Sequence, residues 1–387
     1  FPKRGRTLSV NLGFGNNTKD GEIYLSSRNE FETGPVSRVD SVRQRTGQNV
    51  DGVNYSVSFS YTEPMGKDGQ LQFTYTPGVT NTHSDQIVSA FDSLSAKYDR
   101  LDTGLSNKFI NRVESHTAGL NFRKGTRDNM LTFGLNFRMT DMNSDQEYPS
   151  VYTISKKFDN LLPNIMWRRK MTSGKNINVY YRANANTPSV SQLQDVVDNS
   201  NSLLLSTGNP DLRQQVNHTL GSRYSATNAV KATSFFASIF TQLSQDYIAT
   251  ATYTARRDTL LANNVSMKPG SQLSKPVNLS GYASTRLFLT YGLPVKKLKS
   301  NININSGLNW SRMPGQANDV QGFSNSYTIT AGAVFASNIS QYVDFTLSYT
   351  GAFSTAKNSI SPDLNSKYVN NSFGRSEEHT SELQSRQ

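Results

Sequence analysis

No cysteine occurs among the 387 residues. Disulfides, thiolate metal sites and cysteine nucleophiles are therefore excluded together, and the chain suits an oxidising envelope compartment. Long apolar runs are missing too. Nowhere do about 18 apolar residues follow one another, so no helical membrane span is available. Hydrophobic residues make up only 35% of the chain and the mean hydropathy is −0.55. That average is low for a chain of this length, but it is what strands that are apolar on alternate residues only would give. The opening residues, Phe1-Pro-Lys-Arg-Gly-Arg6, hold no apolar signal region and lead straight into a strand-like run.

Signatures of chemistry are absent as well. There is no Gly-x-Ser-x-Gly elbow and no Walker loop, and Gly13-Phe-Gly15 lacks the following helix that a dinucleotide fingerprint requires. His83, His116 and His218 stand far apart, without zinc spacing, and read as ordinary strand or loop histidines. Asp195-Val-Val-Asp-Asn-Ser-Asn201 is oxygen-rich but lacks the ordered ligand spacing of a calcium loop. The expectation is no enzyme, no catalytic, cofactor-binding or metal residue, and no cofactor. The net charge of +11 comes from Lys and Arg scattered along strands and turns rather than from a basic run or basic helix. A solvated lumen and contact with anionic envelope lipid account for it, with no nucleic acid as partner.

What is present is a two-residue rhythm. Val53, Tyr55, Val57, Phe59 and Tyr61 alternate with Asn54, Ser56, Ser58, Ser60 and Thr62, which gives a strand one apolar and one polar face. Leu131, Phe133, Leu135, Phe137 and Met139 alternate in the same way with Thr132, Gly134, Asn136, Arg138 and Thr140. In Ile302, Ile304, Leu308 and Trp310 against Asn301, Asn303, Asn305 and Asn309, the polar face is nearly all asparagine, a poor core but a good wall for water. Val57, Phe59, Phe133, Leu135, Ile302 and Ile304 are predicted to point outward, and Asn136, Arg138, Asn303 and Asn305 inward. Tyr55, Phe59, Tyr61, Phe73 and Tyr75 read as an interfacial girdle rather than a ligand-stacking cluster.

Compact turns at Glu63 to Gly69, Lys124 to Asn129 and Thr172 to Asn176 alternate with long polar sections at Thr82 to Asn107 and Thr187 to Pro210. A further turn is predicted at Asn16 to Asp20, and a charged loop from Glu32 to Asp51. About fourteen strands follow, giving an all-β fold: a transmembrane antiparallel up-and-down β-barrel, present in part. In lipid, a closed strand arrangement is the one that satisfies every backbone group without exposed edges.

Three stretches carry a family likeness: Asn160-Leu-Leu-Pro163, Thr187-Pro-Ser-Val-Ser-Gln-Leu193 and Gly208-Asn-Pro-Asp-Leu212. In this order they resemble the barrel region of TonB-dependent outer-membrane receptors, and more narrowly their outer-membrane β-barrel family. The resemblance implies placement in the outer membrane of a Gram-negative cell, with outer-membrane lipid, a plug domain of the same full-length chain and TonB as partners. It further implies energy-coupled import of a small-molecule, glycan or peptide ligand held by extracellular loops. The second reading is a surface binding or adhesion barrel without coupled transport. Residues 1–374 form the barrel portion. Arg375 to Gln387 break the rhythm and resemble a translated sequencing adapter, so they are expected to add neither a strand paired in the native register nor any function.

Overall fold

The computed structural model describes residues 3–378, apart from 34–35, 104, 149–150, 172–173, 196, 199–200, 202, 262–264 and 339–343. Its strands in chain order are β1 (Thr7–Thr33), β2 (Val36–Met65), β3 (Gly69–Asp92), β4 (Lys97–Leu101), β5 (Asn107–Gly125), β6 (Asn129–Tyr148) and β7 (Tyr152–Met171). They continue as β8 (Lys175–Asn186), β9 (Leu204–Ser206), β10 (Gln215–Asn228), β11 (Thr233–Gln245), β12 (Tyr247–Thr254), β13 (Thr259–Leu260) and β14 (Ser266–Met267). The last are β15 (Gln272–Leu279), β16 (Tyr282–Val295), β17 (Ser300–Ala317), β18 (Val320–Asn338), β19 (Asp344–Asn358) and β20 (Ser366–Glu378).

Fourteen of these form one antiparallel meander. Each pairs with the next in the order β1, β2, β3, β5, β6, β7, β8, β10, β11, β16, β17, β18, β19, β20. Among the described residues β1 pairs only with β2, and β20 only with β19. The sheet is therefore open, with two unpaired edges where a complete barrel would have none.

The alternation read from the sequence sets the two faces. Register pairs Phe122 with Phe133, Phe133 with Ile165, and Leu135 with both Leu120 and Pro163, so one surface is continuously apolar across neighbouring strands. Those side chains stay uncovered: Phe133, Leu135, Phe137 and Met139 are 43–47% exposed. So much exposed apolar surface on a sheet calls for lipid. Arg138 lies one position from Phe137 on an unbroken ladder and faces the other way, together with Asn136 and Met142. Gly134 shares that inner face, where a Cβ would stand 2.0 Å from Asn121 Oδ1 and 2.4 Å from Asn164 Nδ2, so only glycine lets these amides lie across the strand. The aromatic residues Tyr55, Phe59, Tyr61 and Phe73 sit on the outer face at 37–53% exposure, as a girdle requires.

Four expectations are corrected. Asn16 to Asp20 form no turn: β1 runs through them to Thr33, paired residue by residue with β2, and β2 already occupies most of Glu32 to Asp51. A lipid-spanning strand needs only about 9–11 residues, whereas β1 and β2 have 27 and 30. Their distal halves project into water, where Asn, Thr, Lys and Asp suit a two-sided polar strand as well as they suit a turn. The irregular section after His83 likewise begins as strand, with β3 reaching Asp92 and β4 folding back on it. Finally, Arg375 to Glu378 prolong β20 opposite Leu347 to Asp344, because backbone pairing is indifferent to side-chain identity; the rest of that tail lies outside the described residues.

The two faces predict opposite responses to charge. In the complete receptor folded into vesicles, Leu135→Arg should lower unfolding free energy by about 2–4 kcal/mol. Asn136→Lys, one residue away, should change it by less than about 0.5 kcal/mol. Denaturant titration of both variants checks the assignment.

Candidate functional site

The long polar loop after β8 is built rather than loose. Ser189 caps a single helical turn, α1 (Val190–Leu193): its hydroxyl accepts from Gln192 N at 3.3 Å, and Gln192 Oε1 accepts from Ser189 N at 2.9 Å. This reciprocal cap satisfies two donors that a one-turn helix would otherwise leave open. The Gly208-Asn-Pro-Asp-Leu212 stretch then docks on that turn, with Gly208 N donating to Gln194 O at 2.8 Å and Asn209 N to Gln192 O at 2.6 Å. A Cβ on Gly208 would stand 2.1 Å from Gln194 O, which explains the glycine. Asn209 closes its own turn by accepting from Asp211 N at 3.0 Å and reaches Pro276 O at 3.0 Å.

The three stretches that carry the family likeness meet here. Asn160 on β7 donates to Gln214, and Gln214 donates to Thr187 at 2.8 Å. Leu193, fully buried, and Leu212, 2% exposed, pack on Met142 of β6 and Ile154 of β7. Met142 shares the face of Arg138, so the loop folds onto the inner wall of the sheet. Burying those two leucines stabilises the docked loop by roughly 1.5–3 kcal/mol each.

A second excursion meets the first. β11 and β12 are consecutive in sequence, but the chain kinks at Asp246, whose φ is 49°. β11 stays with β16 while β12 leaves to pair with β15. Arg213 and Asp246 form an ion pair at 2.7 Å across the kink. β9, from the first loop, adds in parallel to β15, and Val197, Leu205, Met267 and Leu273 form a small core beneath. The two excursions and the inner wall border a half-open cavity of about 430 Å³.

Its lining mixes the apolar Leu105, Phe109, Val197 and Pro276 with neutral hydrogen-bonding residues. Gln86 and Asn107 come from β3 and β5, Ser191, Gln192, Gln194, Ser206 and Thr207 from the first loop, and Thr250 and Ser274 from the second, with one carboxylate, Asp198, and one ammonium, Lys275. Gln194 is 7% exposed and its Nε2 has no hydrogen-bond partner. An unpaired buried donor costs on the order of 1–3 kcal/mol. Alongside, burial first and then the Asp195 carboxylate push the Tyr152 phenol above its ordinary pKa.

The residues singled out in sequence fall elsewhere or take structural roles. Asp195 accepts from Thr207 Oγ1 at 3.3 Å and Asp198 bridges to Ser206 through backbone. His116 and His218 each bond a tyrosine on the outer face, Tyr75 at 2.9 Å and Tyr181 at 2.8 Å, and His83 contacts Asp85 at 3.1 Å. Among the described residues, no group of three or more His, Asp or Glu could hold a metal ion. A second concavity of about 310 Å³ lies at the compact-turn end, where Arg127, Arg168, Lys170 and Arg223 face one another with Asp128 as the lone carboxylate.

The family described as "Outer membrane protein beta-barrel family" matches residues 1–377. No curated protein matches the chain. Among solved structures, the copper transporter OprC is 8% identical with TM-score 0.50, over 90% of this chain and 64% of that one. The hemophore receptor HasR of Serratia marcescens is 10% identical with TM-score 0.40, over 94% of this chain and 71% of that one. The siderophore receptor PirA from Acinetobacter baumannii is 11% identical with TM-score 0.42, over 95% and 65%. The chain thus spans less than two thirds of OprC and PirA.

Docking of the loop is open to direct test. Gly208→Val should force the Gly208–Gln194 contact apart and, in native-state hydrogen exchange, accelerate the Gly208 and Asn209 amides by at least tenfold. Amides of β6 and β7 should keep their protection. Unchanged exchange at both loop amides would contradict the packing.

Proposed function

The chain belongs to the outer membrane protein beta-barrel family and resides in the cell outer membrane, and from this premise we propose that it is the barrel portion of a TonB-dependent receptor that binds a ligand at its long-loop end and imports it. The carrying observation is the cavity above, bordered by the two loop excursions and lined by Gln194 among other hydrogen-bonding residues. Short turns gather at one end of the meander and the ordered excursions at the other, the arrangement in which outer-membrane barrels turn their long loops to the outside.

The lining favours a neutral ligand rich in hydroxyl or amide groups, because hydrogen-bonding side chains far outnumber charged ones and one Lys faces one Asp. Such a site discriminates by leaving its own polar groups unpaired when the wrong ligand enters. Energy coupling requires a plug domain in the same full-length chain and TonB beneath it; the plug would occupy the inner face, beside the basic concavity of Arg127, Arg168, Lys170 and Arg223. In this reading the protein performs no catalysis and carries no cofactor.

Cells expressing the complete receptor, with and without TonB, are offered a panel of labelled oligosaccharides and peptides. Accumulation of one of them should depend on TonB, and Gln194→Leu should weaken its binding roughly tenfold, the equivalent of one lost hydrogen bond. Binding that stays at the surface and ignores TonB would favour an adhesion barrel and overturn import.

A further inference from the structure

Nine of the scattered Lys and Arg of the sequence are gathered by the meander onto one rim. The compact turns between β2 and β3, β5 and β6, β10 and β11, and β16 and β17 carry Lys67, Arg127, Lys231, and Lys296, Lys297 and Lys299. Three more cations end strands on the outer face: Lys124 shares the side of Phe122, Arg169 that of Trp167, and Lys175 that of Ile177. All nine are exposed, and none makes an ion pair within the described residues. The carboxylates in these same turns are Asp68 and Asp128.

On the same rim Lys3 and Arg6 pair with Glu63 at 2.6 and 2.7 Å, so the nine are the cations left over once the local carboxylate is matched. Toward the far rim Arg45 pairs with Glu22, Arg112 with Glu114 at 2.5 Å and Lys157 with Asp141 at 3.5 Å. The unmatched charges also sit at a defined depth. Lys124 and Arg169 lie two residues beyond Phe122 and Trp167 on one face, about 7 Å along the strand. Trp167 donates its indole N–H toward the rim, to Asn129 at 3.2 Å, the posture of an interfacial anchor with its polar edge in the headgroup layer. Between the turn cations stand bare apolar side chains: Val230 is 92% exposed beside Lys231, and Leu298 57% exposed between Lys297 and Lys299.

We propose that this rim is a docking collar for anionic phospholipid headgroups, such as phosphatidylglycerol, in the leaflet that meets the compact turns. Phosphates would sit against the outward cations while Val230 and Leu298 enter the acyl boundary, fixing the depth and tilt at which the barrel is held. The inward cations Arg123, Arg168, Lys170 and Arg223 take no part, since they face the lumen. The collar depends on membrane placement and not on the import reading, so either can fail without the other.

The test uses the full-length protein in bilayers of equimolar phosphatidylcholine and phosphatidylglycerol, with spin-labelled versions of each lipid reporting the motionally restricted boundary shell. At low salt, phosphatidylglycerol should be preferred on the order of fivefold, and the preference should shrink as salt screens it. Lys124→Gln, Arg169→Gln and Lys175→Gln together, or Lys296→Gln, Lys297→Gln and Lys299→Gln together, should lower the preference, while arginine at the same lysines should restore it. Equal occupancy of the two lipids by the unaltered protein would overturn the collar, even if the rim captured an acidic peptide instead. So would a preference indifferent to salt, a reading that needs no variant to fold, or one unmoved by neutralising both sets.

Discussion

Inside a bilayer, a backbone N–H or C=O without a partner has no water to turn to, and this constraint organises the whole chain. It forces each span to pair along its full length with its neighbours, which a meander of antiparallel strands achieves with the shortest connections. Once pairing is fixed, side-chain alternation decides what each face meets. Phe133 and Leu135 meet lipid, Asn136 and Arg138 meet the interior, and the low overall hydrophobicity follows directly. Where the constraint lapses, beyond the bilayer, β1 and β2 lengthen into a polar ribbon and β12 parts from β11 at Asp246.

The spanning portions were legible in sequence because a period of two is a local signal. Val53 to Thr62 and Leu131 to Thr140 show it without interruption, and their faces follow. The extramembrane portions were not legible for a physical reason: Asn16 to Asp20 has the composition of a turn, and in water the same residues are equally content in a ribbon whose partner strand supplies the hydrogen bonds. Pairing with Asp51, thirty-odd residues away, is a tertiary fact. The tail shows the same thing from the other side, since Arg375 to Glu378 join β20 through backbone alone.

Site and rim are tertiary in the same sense. Thr187 to Leu193 and Gly208 to Leu212 could be picked out as unusual stretches, and their hydrogen bonds to one another explain the serine cap, the glycine and both buried leucines. That Gln194 would stand buried and unpartnered beside the second excursion is invisible until β9 meets β15. The basic rim eluded a search for runs of Lys and Arg because a meander brings together residues that recur once per hairpin, tens of positions apart. Charge patterning in a barrel is read around the circumference.

The central claim is that the polar and apolar faces of the spanning strands divide water from lipid. Single nitroxide labels placed in turn along residues 131–140 of β6, in the complete receptor reconstituted in bilayers, measure it directly through their collision rates with oxygen and with a water-soluble nickel chelate. Oxygen access should peak at 131, 133, 135, 137 and 139 and fall at the residues between, with no nickel contact at the outward positions near mid-depth. A profile without period two, or one with the lipid-exposed maxima at 134, 136 and 138, would contradict the account.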